Sequence, residues 1–125
     1  MEPDHAGQLF QRGIEQFNCR EFFAAHESWE EVWLAASEPD KTFLQGIIQV
    51  AAAFHHYLRG NPSGAQSLLA AGLSKLEHFP DNYRGVKLAH LREAARHWIE
   101  KLEGGQSPPL EDLPQIEEVE RKGTG

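Results

Sequence analysis

Residues 21–33 read EFFAAHESWEEVW, and this stretch decides the fold class. On a helical wheel drawn at about 100° per residue, its bulky apolar residues gather on one side, which predicts an amphipathic helix. An apolar stripe of this kind has to be buried against other helices, so we expect a helical core around this segment. The stripe consists of Phe22, Ala25, Trp29 and Trp33.

The polar residues of the same segment suggest a metal site. Residues 26–30, HESWE, differ by one residue type from H-E-x-x-H, which binds zinc in many proteases. On the wheel His26 lies on the core-facing side and Glu30 at its shoulder, whereas Glu27 points towards solvent. His26 and Glu30 are therefore the pair that could share a divalent metal. A core histidine satisfied by hydrogen bonds is the alternative, and both interpretations stay open.

Apolar residues at helical spacing, separated by Gly, Pro and Asn, predict five helices at residues 6–17, 20–36, 41–59, 62–76 and 83–102. Asp40 is the expected N-cap of the third helix, Gly60 its stop, and Pro62 a first-turn residue of the fourth. No segment shows the alternation of a β-strand. The predicted fold is all-α, a compact bundle of about five helices built from helical hairpins. A weak repeat at an offset of 40 residues makes it weakly tetratricopeptide-like.

The length of 125 residues fits one domain, which we place at residues 1–104. Residues 105–125 form an acidic, proline-containing C-terminal tail. Two arrangements of this tail stay open, because it is either disordered or lies along the bundle through its apolar residues. These are Leu110, Leu113, Ile116 and Val119.

Composition limits the partners and the compartment. A net charge of −7 and a pI near 5.4 argue against nucleic acid or an anionic membrane as a partner. The single cysteine, Cys19, excludes an intrachain disulfide framework and fits a reducing compartment. With no visible signal peptide and no apolar run of membrane-spanning length, we expect a cytoplasmic protein. The surplus of aromatic residues leaves a protein partner or a homodimer open.

The third predicted helix is apolar almost all round, so it is expected at the centre of the bundle. Gln45, Gln49 and His56 nevertheless form one narrow polar stripe along it. Burying these groups without partners would cost about 1–3 kcal/mol each. If the second and third helices pack antiparallel, the stripe meets His26 and Glu30 and forms a polar pocket. A solvated stripe or a structural hydrogen-bond network is the alternative.

The remaining histidines are less informative. His55 is expected to point away from the polar stripe of its helix. His90, Glu93 and His97 share one side of the fifth predicted helix, a spacing that suits a transition metal but also an ordinary exposed face. The fifth helix is also the basic one, and the acidic tail is its expected partner. Its cationic residues are Lys87, Arg92, Arg96 and Lys101.

Two segments together resemble a known family. Residues 20–33, REFFAAHESWEEVW, resemble the signature (Y/F)(F/W)EAHExxExxW of the domain-of-unknown-function 309 family. Residues 44–56, LQGIIQVAAAFHH, resemble its second signature, LQGLIQxAAAxxH, and residues 60–69 fit a third segment. The resemblance covers about residues 9–76. The chain departs from the pattern at Ala24, where the family usually has Glu.

The resemblance implies a small all-helical bundle and, because members are labelled in general terms as predicted metal-dependent hydrolases, a divalent metal. In such a site the metal would activate water, with Glu30 or Glu27 as the base. Two hypotheses follow: an interaction or structural module with a polar pocket between the second and third helices, or a metal-dependent hydrolase centred on His26 and Glu30. Whether the protein is an enzyme stays open. The residues of the implied site are His26, Glu27, Glu30, Gln45, Gln49 and His56.

Overall fold

The computed structural model describes residues 4–120. Five helices make up most of this part and confirm the all-α fold. Each helix packs mainly against its neighbours along the chain, as consecutive helical hairpins do. No helix in the described part is both long and apolar enough to span a bilayer. The helices are α1 (His5–Asn18), α2 (Phe22–Ala35), α3 (Asp40–Leu58), α4 (Pro62–Leu76) and α5 (Leu88–Glu103).

Local capping explains the turn between α3 and α4. Gly60 follows the end of α3 with a φ of 80°, a conformation that glycine adopts without strain. The Asn61 side chain then accepts a hydrogen bond from the backbone N–H of Gly64 at 3.0 Å, and Pro62 lies in the first turn of α4. Both the glycine stop and the proline start agree with the prediction.

The prediction that Asp40 caps α3 was wrong. Pro39 is the N-cap residue, and the side-chain acceptor for the first turn comes from Glu38, whose Oε1 accepts from the backbone N–H of Thr42 at 2.9 Å. Asp40 instead accepts from the Tyr83 hydroxyl at 2.6 Å and pairs with the Arg84 guanidinium. Burial, together with the hydrogen bond and charge of Asp40, raises the pKa of Tyr83 to about 12.

A short antiparallel hairpin separates α4 from α5, and sequence analysis missed it. Strands β1 (Asn82–Tyr83) and β2 (Val86–Lys87) are joined by Arg84 and Gly85, which have φ values of 52° and 79°. Two consecutive positive φ values are typical of a tight hairpin turn. Strands of two residues are too short to show alternation, so no strand was predicted and the fifth helix was started too early.

Helices α3 and α4 approach closely through glycines. A Cβ atom placed on Gly72 would lie 2.8 Å from the backbone oxygen of Gly46, and one placed on Gly46 would lie 2.7 Å from the Leu76 side chain. Either contact is shorter than van der Waals packing allows, so both positions require glycine. Helix α3 also packs against α2, so it lies at the centre of the bundle, as predicted for the helix that is apolar almost all round.

Residues 105–120 lie along the helices, and we call this segment the C-terminal strap. Ile116 exchanges two hydrogen bonds with the Asn18 side chain of α1, at 2.7 and 3.0 Å. The Tyr57 hydroxyl donates to the carbonyl oxygen of Pro108 at 2.6 Å, and Trp98 Nε1 donates to that of Asp112 at 3.1 Å. The strap also includes a 3-10 helix at Leu110–Asp112. Three elements therefore hold one segment that has almost no secondary structure of its own.

The apolar residues of the strap differ in burial. Leu113 and Ile116 are 7% and 4% exposed, whereas Leu110 and Val119 are 51% and 38% exposed. The acidic side chain that meets the basic helix is Glu117, whose Oε1 lies 2.6 Å from His90 Nδ1.

Arg92, one of the cationic residues for which the acidic tail was the expected partner, bonds to the loop after α4 instead. Arg92 is only 9% exposed. Its guanidinium donates to the carbonyl oxygens of Leu76, Phe79 and Pro80 and to the Asp81 carboxylate, the last at 2.6 Å. The loop after α4 folds over this side chain, so Arg92 donates to loop carbonyl oxygens that would otherwise be buried without a partner.

Candidate functional site: the outer face of α2 and α3

Helix α2 lies between α1 and α3, and the buried polar groups on its side towards α1 have hydrogen-bond partners. Ser28 Oγ donates to the Gln16 side-chain oxygen at 2.7 Å, and Trp29 Nε1 donates to the carbonyl oxygen of Phe10 at 3.1 Å. Trp29 is wholly buried. This side of α2 therefore belongs to the core, as the aromatic stripe predicted.

The side of α2 towards α3 fixes an antiparallel arrangement of the two helices. Near the end of α2, Lys41 Nζ donates to the carbonyl oxygen of Trp33 at 3.2 Å and lies 4.2 Å from the centre of its ring. Near the start of α2, the Phe23 ring lies 5.2 Å from the His55 ring at the far end of α3. The start of α2 is therefore beside the end of α3, the orientation on which the predicted pocket depended.

The outward sides of these two helices form a continuous surface, and no other element of residues 4–120 lies over its exposed side chains. We call this surface the α2–α3 face. The α2 part combines apolar and acidic side chains, and the α3 part combines small, polar and cationic ones. Its main residues are Phe23, His26, Glu27, Glu30 and Leu34 from α2, and Lys41, Gln45, Ile48, Ala52, His55, His56 and Arg59 from α3 and its C-cap.

An aromatic and imidazole cluster occupies one end of the α2–α3 face. The Phe23 ring stacks on the His26 ring at 5.7 Å between centroids with 20° between planes, and the centroid of the His55 ring lies 5.2 Å from that of Phe23. With Ala52 and His56 these side chains line a shallow cleft of about 130 Å³. Phe23 remains 51% exposed, which is unusual for a large aromatic ring held by two neighbours.

The surroundings of His55 disfavour its protonated form. Burial lowers the pKa of His55, and the neighbouring charges of Arg59, His56 and His26 lower it further. No carboxylate contributes to this shift. The expectation that His55 points away was wrong, because it faces α2 and belongs to the same cleft as His26.

Polar atoms on the α3 side of α2 lack partners. Within the described residues, His26 Nδ1 and Trp33 Nε1 are buried and make no hydrogen bond to protein atoms. An unpaired buried donor or acceptor costs about 1–3 kcal/mol. His26 and Trp33 are two turns apart on α2. These two side chains therefore lack hydrogen-bond partners on the α3 side, whereas Ser28 and Trp29 have partners on the α1 side.

The six residues of the predicted pocket lie in different surroundings. His26 and His56 line the cleft, and Glu27, Glu30 and Gln45 are exposed on the face. Gln49 points the other way and accepts a hydrogen bond from Lys75 Nζ of α4 at 2.9 Å. His56 Nδ1 is 3.0 Å from the Asn61 side-chain amide. Five of the six residues therefore share a surface, and the rotation of α3 turns Gln49 towards α4.

The implied metal finds no matching donor set. Across residues 4–120, no three His, Cys, Asp or Glu side chains are placed to hold an ion together, whereas protein zinc sites use three or four protein ligands. Glu30 lies on the exposed side of α2, and Glu93 and His97 of α5 are also exposed. The geometry therefore supports no chemical step through a metal at His26.

Sequence reasoning missed Phe23 and His55. For Phe23 a signal was present, since it lies about 100° round the wheel from Phe22, outside the aromatic stripe and beside Glu30, where a large apolar side chain indicates a contact surface. For His55 no local signal existed, because its direction depends on how α3 is rotated against α2.

Consecutive antiparallel helices with an open aromatic and histidine surface define a small helical-hairpin protein. Residues 10–68 match the family model described as "Domain of unknown function (DUF309)". Over these residues the chain belongs to the DUF309 family, and the resemblance predicted from α2 and α3 is confirmed.

Two relatives show how this unit occurs elsewhere. An uncharacterized protein of Aquifex aeolicus (strain VF5) is 32% identical over 104 residues, which are 82% of this chain and 31% of that protein. The uncharacterized protein YpuF of Bacillus subtilis (strain 168) is 31% identical over 93 residues, 72% of this chain and 53% of YpuF. The chain therefore spans about a third and about half of these relatives.

Proposed function

We propose that the chain is a protein-interaction module that binds its partner through the α2–α3 face. The observation that carries this proposal is Phe23, a large aromatic ring that is 51% exposed although two imidazoles hold it in place. Aromatic side chains supply much of the binding energy of protein interfaces. Phe23 is the expected anchor.

The surroundings of Phe23 suit this role. Its ring is already ordered by His26 and His55, so binding would lose little side-chain entropy. Exposed Glu27 and Glu30 lie on one side of it and the Arg59 cation lies near His55 on the other. Charged groups around an apolar centre orient a partner more than they add affinity.

The relatives support a module as well. The matching region is 31% and 53% of the two longer relatives, and a unit that recurs within longer chains behaves as a domain with its own core. We also infer a cytoplasmic location, supported by the free, exposed thiol of Cys19, which persists in reducing compartments.

The hydrolase alternative has less support. It needs a metal held by His26 and Glu30, and the described residues offer no third ligand beside them. It also needs a cavity that excludes water around the reacting groups, whereas the cleft at His26 is shallow and open to solvent.

Peptide selection tests the interaction proposal. A phage-displayed peptide library is selected on sparsely immobilised single copies of the chain, and the selected peptides are then measured against Phe23→Ser. We expect binding to fall at least about tenfold, or 1.4 kcal/mol. Val119→Ser, which changes another exposed apolar residue on the strap, is the matched control and should bind as the wild type does. Selection that yields no peptide dependent on Phe23 would overturn the proposal.

A further inference from the structure

We propose that the chain binds a small uncharged ring compound in a cavity between the start of α1, the start of α3 and the turn of the β-hairpin. The compound carries a hydrogen-bond donor beside an acceptor, as a carboxamide does. The cavity adjoins the start of α3, whereas Phe23 lies beside the end of that helix. This site is therefore separate from the contact surface proposed above and goes beyond it.

The size and the walls of the cavity suit a ring. Its volume is about 200 Å³, and an engineered apolar cavity of about 150 Å³ binds benzene, so a six-membered ring with a small substituent fits. Two phenyl rings form part of the wall, with centroids 6.0 Å apart and 48° between their planes, and such rings pack well against a third. The apolar residues and the glycine of the wall are Ala6, Gly7, Phe10, Val32, Phe43 and Leu44.

Two polar side chains of the wall place an acceptor beside a donor. The Tyr83 hydroxyl donates to Asp40 Oδ1 at 2.6 Å, and the Arg84 guanidinium pairs with Asp40 Oδ2. These contacts hold the carboxylate in place. A guanidinium has five N–H donors and each carboxylate oxygen has two acceptor sites, so both groups can bond to a ligand as well. A carboxamide matches them, because its N–H donates to Asp40 and its carbonyl oxygen accepts from Arg84.

The backbone of Arg84 supports a role beyond folding. Its φ is 52°, which is uncommon for a residue other than glycine, and Asn or Gly is preferred in a hairpin turn of this kind. Its side chain is 58% exposed in the pair with Asp40, and so exposed an ion pair adds little to stability. A contact with a ligand explains an arginine at this position better than folding does.

Charge balance selects an uncharged ligand. Each of the three charged side chains in the wall has a partner within the chain. Asp40 and Arg84 neutralise each other, and Asp4 accepts from the backbone N–H of Gly7 at 3.0 Å at the N-terminal end of α1, where the helix dipole stabilises a negative charge. A charged ligand would lose hydration on entry without meeting an unpaired charge of opposite sign, which is unfavourable.

Three probes with the same ring and different charges test the proposal. Neutral benzamide, anionic benzoate and cationic benzylammonium are each titrated into the full chain, and amide signals are followed by NMR. We expect benzamide to bind with a dissociation constant on the order of millimolar, as small fragments do, and at least about tenfold more tightly than either charged probe. The amide signals that shift should be those of the cavity wall, among them Ala6, Leu44 and Arg84.

Filling the cavity should abolish binding. Ala6 is exposed and lines the cavity, so Ala6→Phe places a ring inside it without disturbing the buried core. We expect benzamide to bind this variant at least about tenfold more weakly. Ala70→Phe changes an exposed alanine of α4 that does not line the cavity and should bind as the wild type does. Thermal unfolding of both variants confirms that they are folded.

Removing the guanidinium should change which charge is preferred. Arg84→Asn keeps the turn, because asparagine tolerates a positive φ, but it leaves Asp40 without its counter-charge. We therefore expect benzylammonium to bind Arg84→Asn at least about tenfold more tightly than it binds the wild type, while benzamide binds this variant more weakly. The inversion distinguishes an effect on recognition from a simple loss of folding.

Four results would overturn the proposal. They are no benzamide binding up to about 10 mM, binding of a charged probe to the wild type as tightly as benzamide, unchanged binding to Ala6→Phe, or an unchanged order of the three probes in Arg84→Asn. None of these results affects the interaction proposal, because Phe23 and the cavity lie at opposite ends of α3.

Discussion

The two sides of this bundle differ in whether their buried polar groups have hydrogen-bond partners. On the side formed by α5 and the C-terminal strap, Trp98 Nε1 and the Arg92 guanidinium donate to backbone carbonyl oxygens. On the side formed by α2 and α3, Trp33 Nε1 and His26 Nδ1 are buried without a partner in the described part of the chain, and Phe23 is exposed. The α5 side has been closed by a covering segment, whereas the α2–α3 side has none within residues 4–120.

We interpret the α5 side as the one that stabilises the fold and the α2–α3 side as the one that makes contacts outside the chain. Satisfied buried donors and covered apolar side chains lower the free energy of the folded state, so changes on the α5 side should destabilise the protein. Unsatisfied donors and exposed aromatic rings add little to folding, and their retention is better explained by a contact made outside the chain. Substitutions of matched residues on the two sides test this difference.

The largest expected effect is at the strap. Ile116→Ala removes a side chain that is 4% exposed and should lower the free energy of unfolding by about 2–4 kcal/mol. Val119→Ala changes an apolar residue of the same segment that is 38% exposed and should change it by less than about 0.5 kcal/mol. Urea unfolding of both variants measures the difference. Equal effects would show that the strap does not cover the core in solution.

The second-largest loss of stability is expected at Arg92. Arg92→Met keeps the length of the buried side chain but leaves the carbonyl oxygens of Phe79 and Pro80 without this donor, which should cost about 2–3 kcal/mol. Arg96→Met removes an exposed pair with Glu77 at 3.3 Å and should cost less than about 0.5 kcal/mol. Thermal unfolding of the two variants measures the difference. If Arg92→Met destabilises the protein no more than Arg96→Met, the hydrogen bonds of Arg92 to the loop after α4 do not stabilise the fold.

The tryptophans compare the two sides most directly. Trp98→Phe loses the hydrogen bond to Asp112 at 3.1 Å and part of a fully buried ring, so we expect about 2 kcal/mol of destabilisation. Trp33→Phe removes an indole N–H that has no partner among the described residues and should change stability by less than about 0.5 kcal/mol. If Trp33→Phe destabilises the protein as much as Trp98→Phe in urea unfolding, the Trp33 indole N–H does have a partner in solution.

The smallest effect concerns His55 and pH. Because the folded-state pKa of His55 lies below its ordinary value of 6.5, the unfolded chain takes up the proton first as the pH falls. The contribution of His55 is fully present above about pH 6.5 and is lost progressively below it. His55→Gln should therefore make the fall in stability below pH 6.5 shallower. Unfolding is measured at concentrations where the chain is monomeric, and an unchanged slope would show that His55 is not held neutral by its surroundings.

Much of the fold could be predicted because it depends on local patterns. The aromatic stripe around Trp29 has the helical period, and Gly60 and Pro62 mark one turn through their own backbone preferences. The β-hairpin could not be predicted in this way, since two-residue strands have no period. The burial of Arg92 could not be predicted for a related reason, because it depends on a loop that returns to Arg92 from the end of α4.

The candidate site was predictable only in part. That Trp29 and Glu27 lie on different sides of α2 follows from their spacing alone. That His55 rather than Gln49 meets His26 depends on the rotation of α3, which the close approach of Gly46 and Gly72 fixes. The direction of a side chain around its own helix is a local property, and its neighbours across a helix pair are not.

By itself, then, the sequence determined five amphipathic helices, an aromatic core and membership of the DUF309 family over residues 10–68. Tertiary structure alone decided that the strap covers the α5 side and that a cluster of Phe23, His26 and His55 is left open on the α2–α3 side. Periodicity fixes which residues turn away from solvent within each helix. Which of them find a partner depends on contacts between residues far apart in the chain, and these exist only once the helices have packed.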